Sequence, residues 1–174
     1  MSDVIKGTTG DDEMVGSVGS DNLNGGNGND TVRGGAGDDT VRGGNGDDDV
    51  NGGSGDDDVR GGFGDDDVKG GEGNDTVNGG RDSDVMAGGS GEDIFVFDGT
   101  WGENAGDDII IDFEDGVDQI QLLNSSIQSV SQVDDAVVIA LATGGSLTIE
   151  NLSIEQLDSL DFVGGDSFFD DVLG

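Results

Sequence analysis

The chain has 174 residues, with 40 Asp or Glu against six Lys or Arg and a formal net charge of -34. Such a surface repels nucleic acid and anionic membranes and attracts cations. Cysteine, histidine, tyrosine and proline are all absent, which excludes soft-ligand zinc, copper and iron–sulfur sites, disulfides, cysteine nucleophiles and every triad built on histidine. Carboxylate and carbonyl oxygens remain, and they suit calcium, magnesium or manganese. Low apolar content with high charge is ordinarily the signature of disorder, so order in this chain needs a specific source.

The first residues, MSDVIKGTTGDDEMVG, contain no apolar run of the kind a secretory signal peptide requires. No stretch approaches the ~18 apolar residues of a membrane span, so membrane insertion is not expected, and any export address lies elsewhere. Met1 followed almost at once by repeats points to a free-standing small protein rather than the tail of a larger one.

Ten consecutive nine-residue units then run over residues 7–96. The clearest are GGNGNDTVR (from Gly25), GGAGDDTVR (Gly34), GGNGDDDVN (Gly43), GGSGDDDVR (Gly52), GGFGDDDVK (Gly61) and GGEGNDTVN (Gly70). Units 1, 2 and 9 depart from the pattern, with Thr8, Ser17 and Asp82 in place of glycine. Looser terminal units are what a stacked array with caps requires. Glycines at positions 1, 2 and 4 let the backbone turn tightly at positive φ. Position 6 is aspartate throughout: Asp12, Asp21, Asp30, Asp39, Asp48, Asp57, Asp66, Asp75, Asp84 and Asp93. Position 8 is always apolar, between mostly polar neighbours, which is the pattern of a very short strand with one buried face.

One nine-residue turn and strand cannot close a coil, but two can. The period therefore predicts a solenoid of 18-residue coils with two opposed parallel sheets, its rungs ~4.8 Å apart. One sheet stacks Met14, Val32, Val50, Val68 and Met86; the other stacks Leu23, Val41, Val59, Val77 and Phe95. Aspartates 18 residues apart then stand in adjacent turns, where two bare carboxylates at ~5 Å repel by roughly 0.8 kcal/mol even in water. Cations between the turns relieve that repulsion. Calcium takes six to eight oxygens, and two aspartates with carbonyls from two glycine-opened turns supply about that number.

GGxGxDxUx, with U apolar, resembles the repeat-in-toxin (RTX) nonapeptide, and the resemblance covers residues 7–96. It implies an all-β fold, a right-handed parallel β-roll, with calcium ions held by the position-6 aspartates and by backbone carbonyls of the glycine-rich turns. Asn29, Asp38, Asp47, Asp56, Asp65 and Asn74 are candidate carbonyl donors. The resemblance also implies secretion by a type I system, unfolded in a low-calcium cytosol and folding outside. Arg33, Arg42, Arg60 and Lys69, at position 9, are expected to screen the acidic turns or, lined up, to grip an anionic polysaccharide.

Past the repeats glycine becomes sparse. Strands are expected at 94–97, 108–113, 119–122, 136–141 and 146–151, with a turn at Thr143-Gly144-Gly145. Ser153-x-x-Gln156 resembles a capping box opening a short helix through Leu160. Residues 1–96 thus form the roll, 97–163 a β-rich cap closing its open end, and 164–174, ending DSFFDDVLG, a tail resembling an uncleaved type I secretion signal. Asp47-x-Asp49-x-Asn51-Gly52 mimics the opening of an EF-hand loop but lies within the nonapeptide register and lacks flanking helices. Acidic pairs able to cleave glycosides are not singled out among uniformly repeating carboxylates. Trp101 is better read as packing than as a sugar platform. The expected function is that of a secreted, non-catalytic calcium-binding protein folding after export; the alternative is a carbohydrate-binding or adhesive module, such as one attached to a polysaccharide-modifying enzyme.

Overall fold

The computed structural model describes residues 2–100, 106–158 and 161–163. Among these, strands β1 (Val4–Lys6) and β2 (Glu13–Val15) open the chain. There follow β3 (Asn22–Asn27), β4 (Thr31–Ala36), β5 (Thr40–Asn45), β6 (Asp49–Ser54), β7 (Asp58–Phe63), β8 (Asp67–Glu72), β9 (Thr76–Arg81) and β10 (Val85–Ser90). The closing part holds β11 (Ile94–Asp98), β12 (Asp107–Ile110), β13 (Gln119–Leu123), β14 (Ile127–Val133), β15 (Ala136–Leu141), β16 (Ser146–Ile149) and β17 (Phe162–Val163). No helix among the described residues is long and apolar enough to cross a membrane.

Odd and even strands of the repeats separate into two facing sheets. One is 8-stranded, in the order β1-β3-β5-β7-β9-β11-β13-β17; the other is 9-stranded, in the order β14-β15-β16-β12-β10-β8-β6-β4-β2. The expected register holds: Met14, Val32, Val50, Val68 and Met86 align rung by rung. Leu23, Val41, Val59, Val77 and Phe95 align on the other side. Leu23 through Phe95 in these stacks are fully buried, and only Met14 at the open end retains a little exposure. A parallel β-solenoid with 18-residue coils results.

Strands β3 to β10, six residues each, are twice as long as the three-residue strands that polar–apolar–polar spacing predicts. Thr31–Ala36, for example, runs through Gly34 and Gly35 and pairs with β6 along its length, Gly35 opposite Gly53. A Cβ on Gly35 would strike the carbonyl oxygen of Ser17, 2.5 Å away. Glycine pairs on adjacent rungs are therefore packed backbone to backbone, and the sheet extends where side-chain patterning is silent.

Beyond the repeats the coil continues with longer connections. Phe95 is followed by Ile120 and then Phe162 in one stack, and Met86 by Ile110 and then Ile149 in the other. Larger side chains fill the widening end, with the Phe95 and Phe113 rings 6.2 Å apart. The expected strands near 94–97, 119–122 and 136–141 form, while those at 108–113 and 146–151 end early, at Ile110 and Ile149. Antiparallel β14 joins the edge through β15, with a bulge between Ile127 and Ser129. The expected helix after Ser153 is a turn instead. Gln156 Oε1 accepts from the Ser153 amide and hydroxyl, 3.1 and 2.9 Å away, so the capping contacts form but close a single turn over 154–156. Buried Leu152 and Leu157 pin the chain on either side of it. Residues 159–160 of that expected helix, Trp101 and the tail 164–174 lie outside the described residues.

Candidate metal centre

Both edges of the roll carry a file of position-6 aspartates. From Asp21 to Asp93 these side chains are at most 4% exposed, while Asp12 at the open end is half-buried. One carboxylate oxygen is spoken for. The amide of each aspartate donates to Oδ1 of the aspartate one coil further on: Asp30 to Asp48 at 2.7 Å, Asp48 to Asp66 at 2.8 Å, Asp57 to Asp75 at 2.8 Å.

The other oxygen is the informative one. Oδ2 of Asp30, Asp39, Asp48, Asp57, Asp66, Asp75, Asp84 and Asp93 is buried and receives no hydrogen bond. Leaving a buried carboxylate oxygen unpartnered costs free energy. Each such oxygen faces the position-1 glycine of its own turn. A Cβ on Gly52 would fall on Asp57 Oδ2 and lie 2.7 Å from the carbonyl oxygen of Gly70 in the next coil; Gly25, Gly34, Gly61 and Gly70 repeat the arrangement. Position 1 therefore needs glycine for room and not for rotation, since those glycines are absent from the positive-φ set to which the position-2 glycines and the position-4 glycines from Gly19 onward belong. Asp82, standing where unit 9 lacks its position-4 glycine, takes φ +73 itself.

An orphaned carboxylate oxygen beside a carbonyl oxygen, in a space that any side chain would fill, fits a hard cation. Among the described residues no three acidic side chains group to hold a metal by themselves, so carbonyls must complete any shell. Titration behaviour agrees with a dry, like-charged file. Burial, reinforced by the aspartates one coil away, pushes Asp66 and Asp84 up to about 8, Asp75 up to about 7, and Asp48, Asp57 and Asp93 up to about 6; Asp39 is also raised. Asp21 goes the other way, held below the usual carboxylate range by the amides of Ser17 and Asp3.

The position-5 residues Asn29, Asp38, Asp47, Asp56, Asp65 and Asn74 stand on the outside of the turns. Their side chains form a second ladder of opposite sense, in which Asn29 Oδ1 accepts from the Asp47 amide at 3.1 Å and Asp56 Oδ1 from the Asn74 amide at 2.8 Å. The carbonyls placed against Oδ2 are those of the position-1 glycines. The files also run past the nonapeptides at both ends. Asp3 donates to Asp21 Oδ1, Asp84 to Asp108 Oδ1 and Asp93 to Asp118 Oδ1. Burial pushes Asp108 up to about 7 and raises Asp118. Asp3-x-Ile5, Asp108-x-Ile110 and Asp118-x-Ile120 repeat the position-6 to position-8 spacing, and that signal locates them without any glycine.

Three of the four position-9 basic side chains, Arg33, Arg60 and Lys69, pair on the sheet faces instead of at the acidic turns. Arg33 pairs with Asp49, Arg60 with Asp58 and Lys69 with Asp67, at 3.6, 2.9 and 3.0 Å. All three acids are position-7 residues on the outer sheet faces, because positions 7 and 9 of a strand point to the same side. On one of those faces a groove of about 400 Å³ is lined by Asn24, Arg42, Arg60, Phe63 and Asn78 among others, and Arg81 lies 4.8 Å over the Phe63 ring.

A two-sheet parallel solenoid whose turns carry orphaned carboxylates in glycine cradles defines a cation-binding β-roll. The sequence matches the family model for the RTX calcium-binding nonapeptide repeat over residues 1–32, 24–59 and 60–95. This chain therefore belongs to the RTX calcium-binding repeat family, whose nonapeptides bind calcium. No curated protein matches it in sequence. Among solved structures it is similar in fold to the extracellular lipase LipA from Serratia marcescens, with 17% identity and a TM-score of 0.51 over 91% of this chain and 39% of the lipase. The chain thus spans well under half the length of that enzyme. The AlgE6R3 subunit of the Azotobacter vinelandii mannuronan C5-epimerase aligns over 90% of this chain and 80% of its own, with 25% identity and a TM-score of 0.43.

Proposed function

We propose that the chain is a secreted, non-catalytic calcium-binding protein whose roll becomes ordered when several calcium ions enter the two aspartate files after export. The observation that carries this reading is the set of buried Oδ2 atoms from Asp30 to Asp93 that have no donor. Asp30, Asp39, Asp48, Asp57, Asp66, Asp75, Asp84 and Asp93 hold the ions through their side chains, with Asp12 and Asp21 as weaker candidates at the open end. Glycine carbonyls of the neighbouring coil, and carbonyls of the position-5 residues, complete the shells. A bound divalent ion neutralises the paired turns and cross-links successive coils. Each site filled at ten times its dissociation constant stabilises the folded state by ~1.4 kcal/mol, and several sites together reach the whole stability of an ordinary domain.

Residues 97–163 close the last coil, and residues 164–174 address the chain to a type I export machinery. Deleting 164–174 should abolish export while leaving calcium binding intact; unchanged export sinks that assignment. The central test is calcium titration followed by circular dichroism. A cooperative gain of β signal is expected at roughly 0.1–1 mM, the range of extracellular calcium modules, with magnesium much less effective. Equal order without calcium overturns the reading.

A second reading, a module binding an acidic polysaccharide, is favoured by one observation: Arg42 and Arg60 meet in the groove beside Phe63 on an otherwise acidic molecule. Its test is binding to polyuronates in calcium, which Arg42→Ala should weaken.

A further inference from the structure

Not every aspartate in the files has an orphaned oxygen, and three of the exceptions, Asp12, Asp21 and Asp118, share one feature. Asp12 Oδ2 accepts from the Thr8 amide at 2.6 Å and the Thr8 hydroxyl at 2.9 Å. Asp21 Oδ2 accepts from the Ser17 amide at 2.7 Å and the Ser17 hydroxyl at 3.1 Å. Past the repeats, Asp118 Oδ2 accepts from the Glu114 amide at 2.8 Å. In all three the donor lies four residues before the aspartate, at position 2 of the turn. Every orphaned Oδ2 belongs instead to a turn with glycine at position 2, from Gly26 at φ +112 to Gly89 at φ +105.

Exposure does not explain the division. Asp21 is 4% exposed and Asp118 3%, as deeply placed as Asp39 and Asp48 at 3%. Backbone geometry does. Thr8, Ser17 and Glu114 are outside the positive-φ set, a region that side chains other than glycine rarely enter. Their amides point into the space beside Oδ2; the glycine amides at positive φ do not.

We infer that position 2 selects what completes each turn: glycine leaves the aspartate to a cation, whereas Thr8, Ser17 and Glu114 supply an internal amide in the cation's place. The inference rests on the calcium reading above and sharpens it to individual turns. The cation-demanding sites are confined to the glycine-paired units from Gly25 onward. The turns of Asp12, Asp21 and Asp118 are closed by the chain's own hydrogen bonds and stay satisfied without calcium. A carboxylate oxygen that already accepts an amide and a hydroxyl must lose both to become an ion ligand, so those turns bind calcium last if at all.

The test is stoichiometry by native mass spectrometry and titration calorimetry in saturating calcium. Ser17→Gly should bind one more ion than the parent chain, and Thr8→Gly/Ser17→Gly two more. Ser17→Ala, which keeps the amide and loses only the hydroxyl, should bind the same number as the parent. Equal stoichiometry in the parent and both glycine variants overturns the inference, as does a gained ion in Ser17→Ala. The glycine variants carry the residue already present in the neighbouring units, and a β signal matching the parent in calcium verifies their fold. A parent chain that takes up no calcium at all sinks the calcium reading instead, and the two failures are distinguishable.

Discussion

The repeat region and the closing region build the same two sheets by opposite means. Between Gly25 and Val96 each coil adds one apolar side chain per sheet, valine from Val32 to Val77, and two buried aspartates, and advances by 18 residues. From Asp98 onward the interval between file partners grows to 24 and 25 residues, and the inward positions are taken by Phe113, Ile120, Ile139, Leu147 and Phe162. Asp108 pairs in register with Leu147, so one file of carboxylates ends in an apolar side chain. The first region is a thin core that depends on a counter-ion. The second is held by ordinary hydrophobic burial, at about 1.5–3 kcal/mol for each large side chain.

Withdrawing calcium tests this contrast most severely. The amides of β4 to β10 should lose hydrogen-exchange protection before those of β15 and β16; simultaneous loss would mean that the two regions share one source of order. Acidity should act next, and with opposite sign in the presence and absence of the ion. The raised aspartates hold protons in the folded roll that the unfolded chain has already released. Without calcium, the stabilisation from this uptake is complete below the ordinary carboxylate value of 3.8 and is lost as pH rises through about 6 to about 8. Calcium-free roll should therefore gain β signal as pH falls from 8 to 5. In calcium the same protons compete with the ion, and apparent affinity should fall over that range.

Single substitutions sharpen the comparison further. Ile120→Ala, in the closing stack between Phe95 and Phe162, should cost about 2–5 kcal/mol in denaturant unfolding whether or not calcium is present. Asp57→Asn should cost about 1.4 kcal/mol in calcium at ten times the site's Kd and nothing in its absence, where a neutral amide relieves repulsion in the file. Arg33→Ala, which removes a half-exposed ion pair on the outer face, should change stability by less than about 0.5 kcal/mol in either condition.

The roll was legible because its period is strict. Aspartate at position 6 and an apolar residue at position 8 together set the coil length, the two stacks and the register. Strand length was not legible, since glycine carries no patterning and yet packs rung on rung through Gly35, Gly53 and Gly71. β14 escaped notice because Ile127, Val130 and Val133 are spaced by threes; the bulge after Ile127 brings Ile127 and Val130 to one face, while Val133 stays exposed. Within the site, the aspartates were readable from the sequence but their two oxygens were not equivalent. One serves the preceding coil, and the fate of the other turns on a backbone angle at position 2. Asp108 and Asp118 hid behind the loss of the glycine motif although their spacing to the next isoleucine is unchanged.

A stack of near-identical rungs has no intrinsic length, and parallel sheets left open at an end are templates for filaments. In this molecule β15 reverses direction against β16, and the edge strand β14 beyond it carries a bulge and exposes Ser129, Ser131 and Gln132. A further copy docking there would meet a kinked, mostly polar edge out of step with its own rungs. The same segment that finishes this sheet thereby makes its last edge a poor template for another coil.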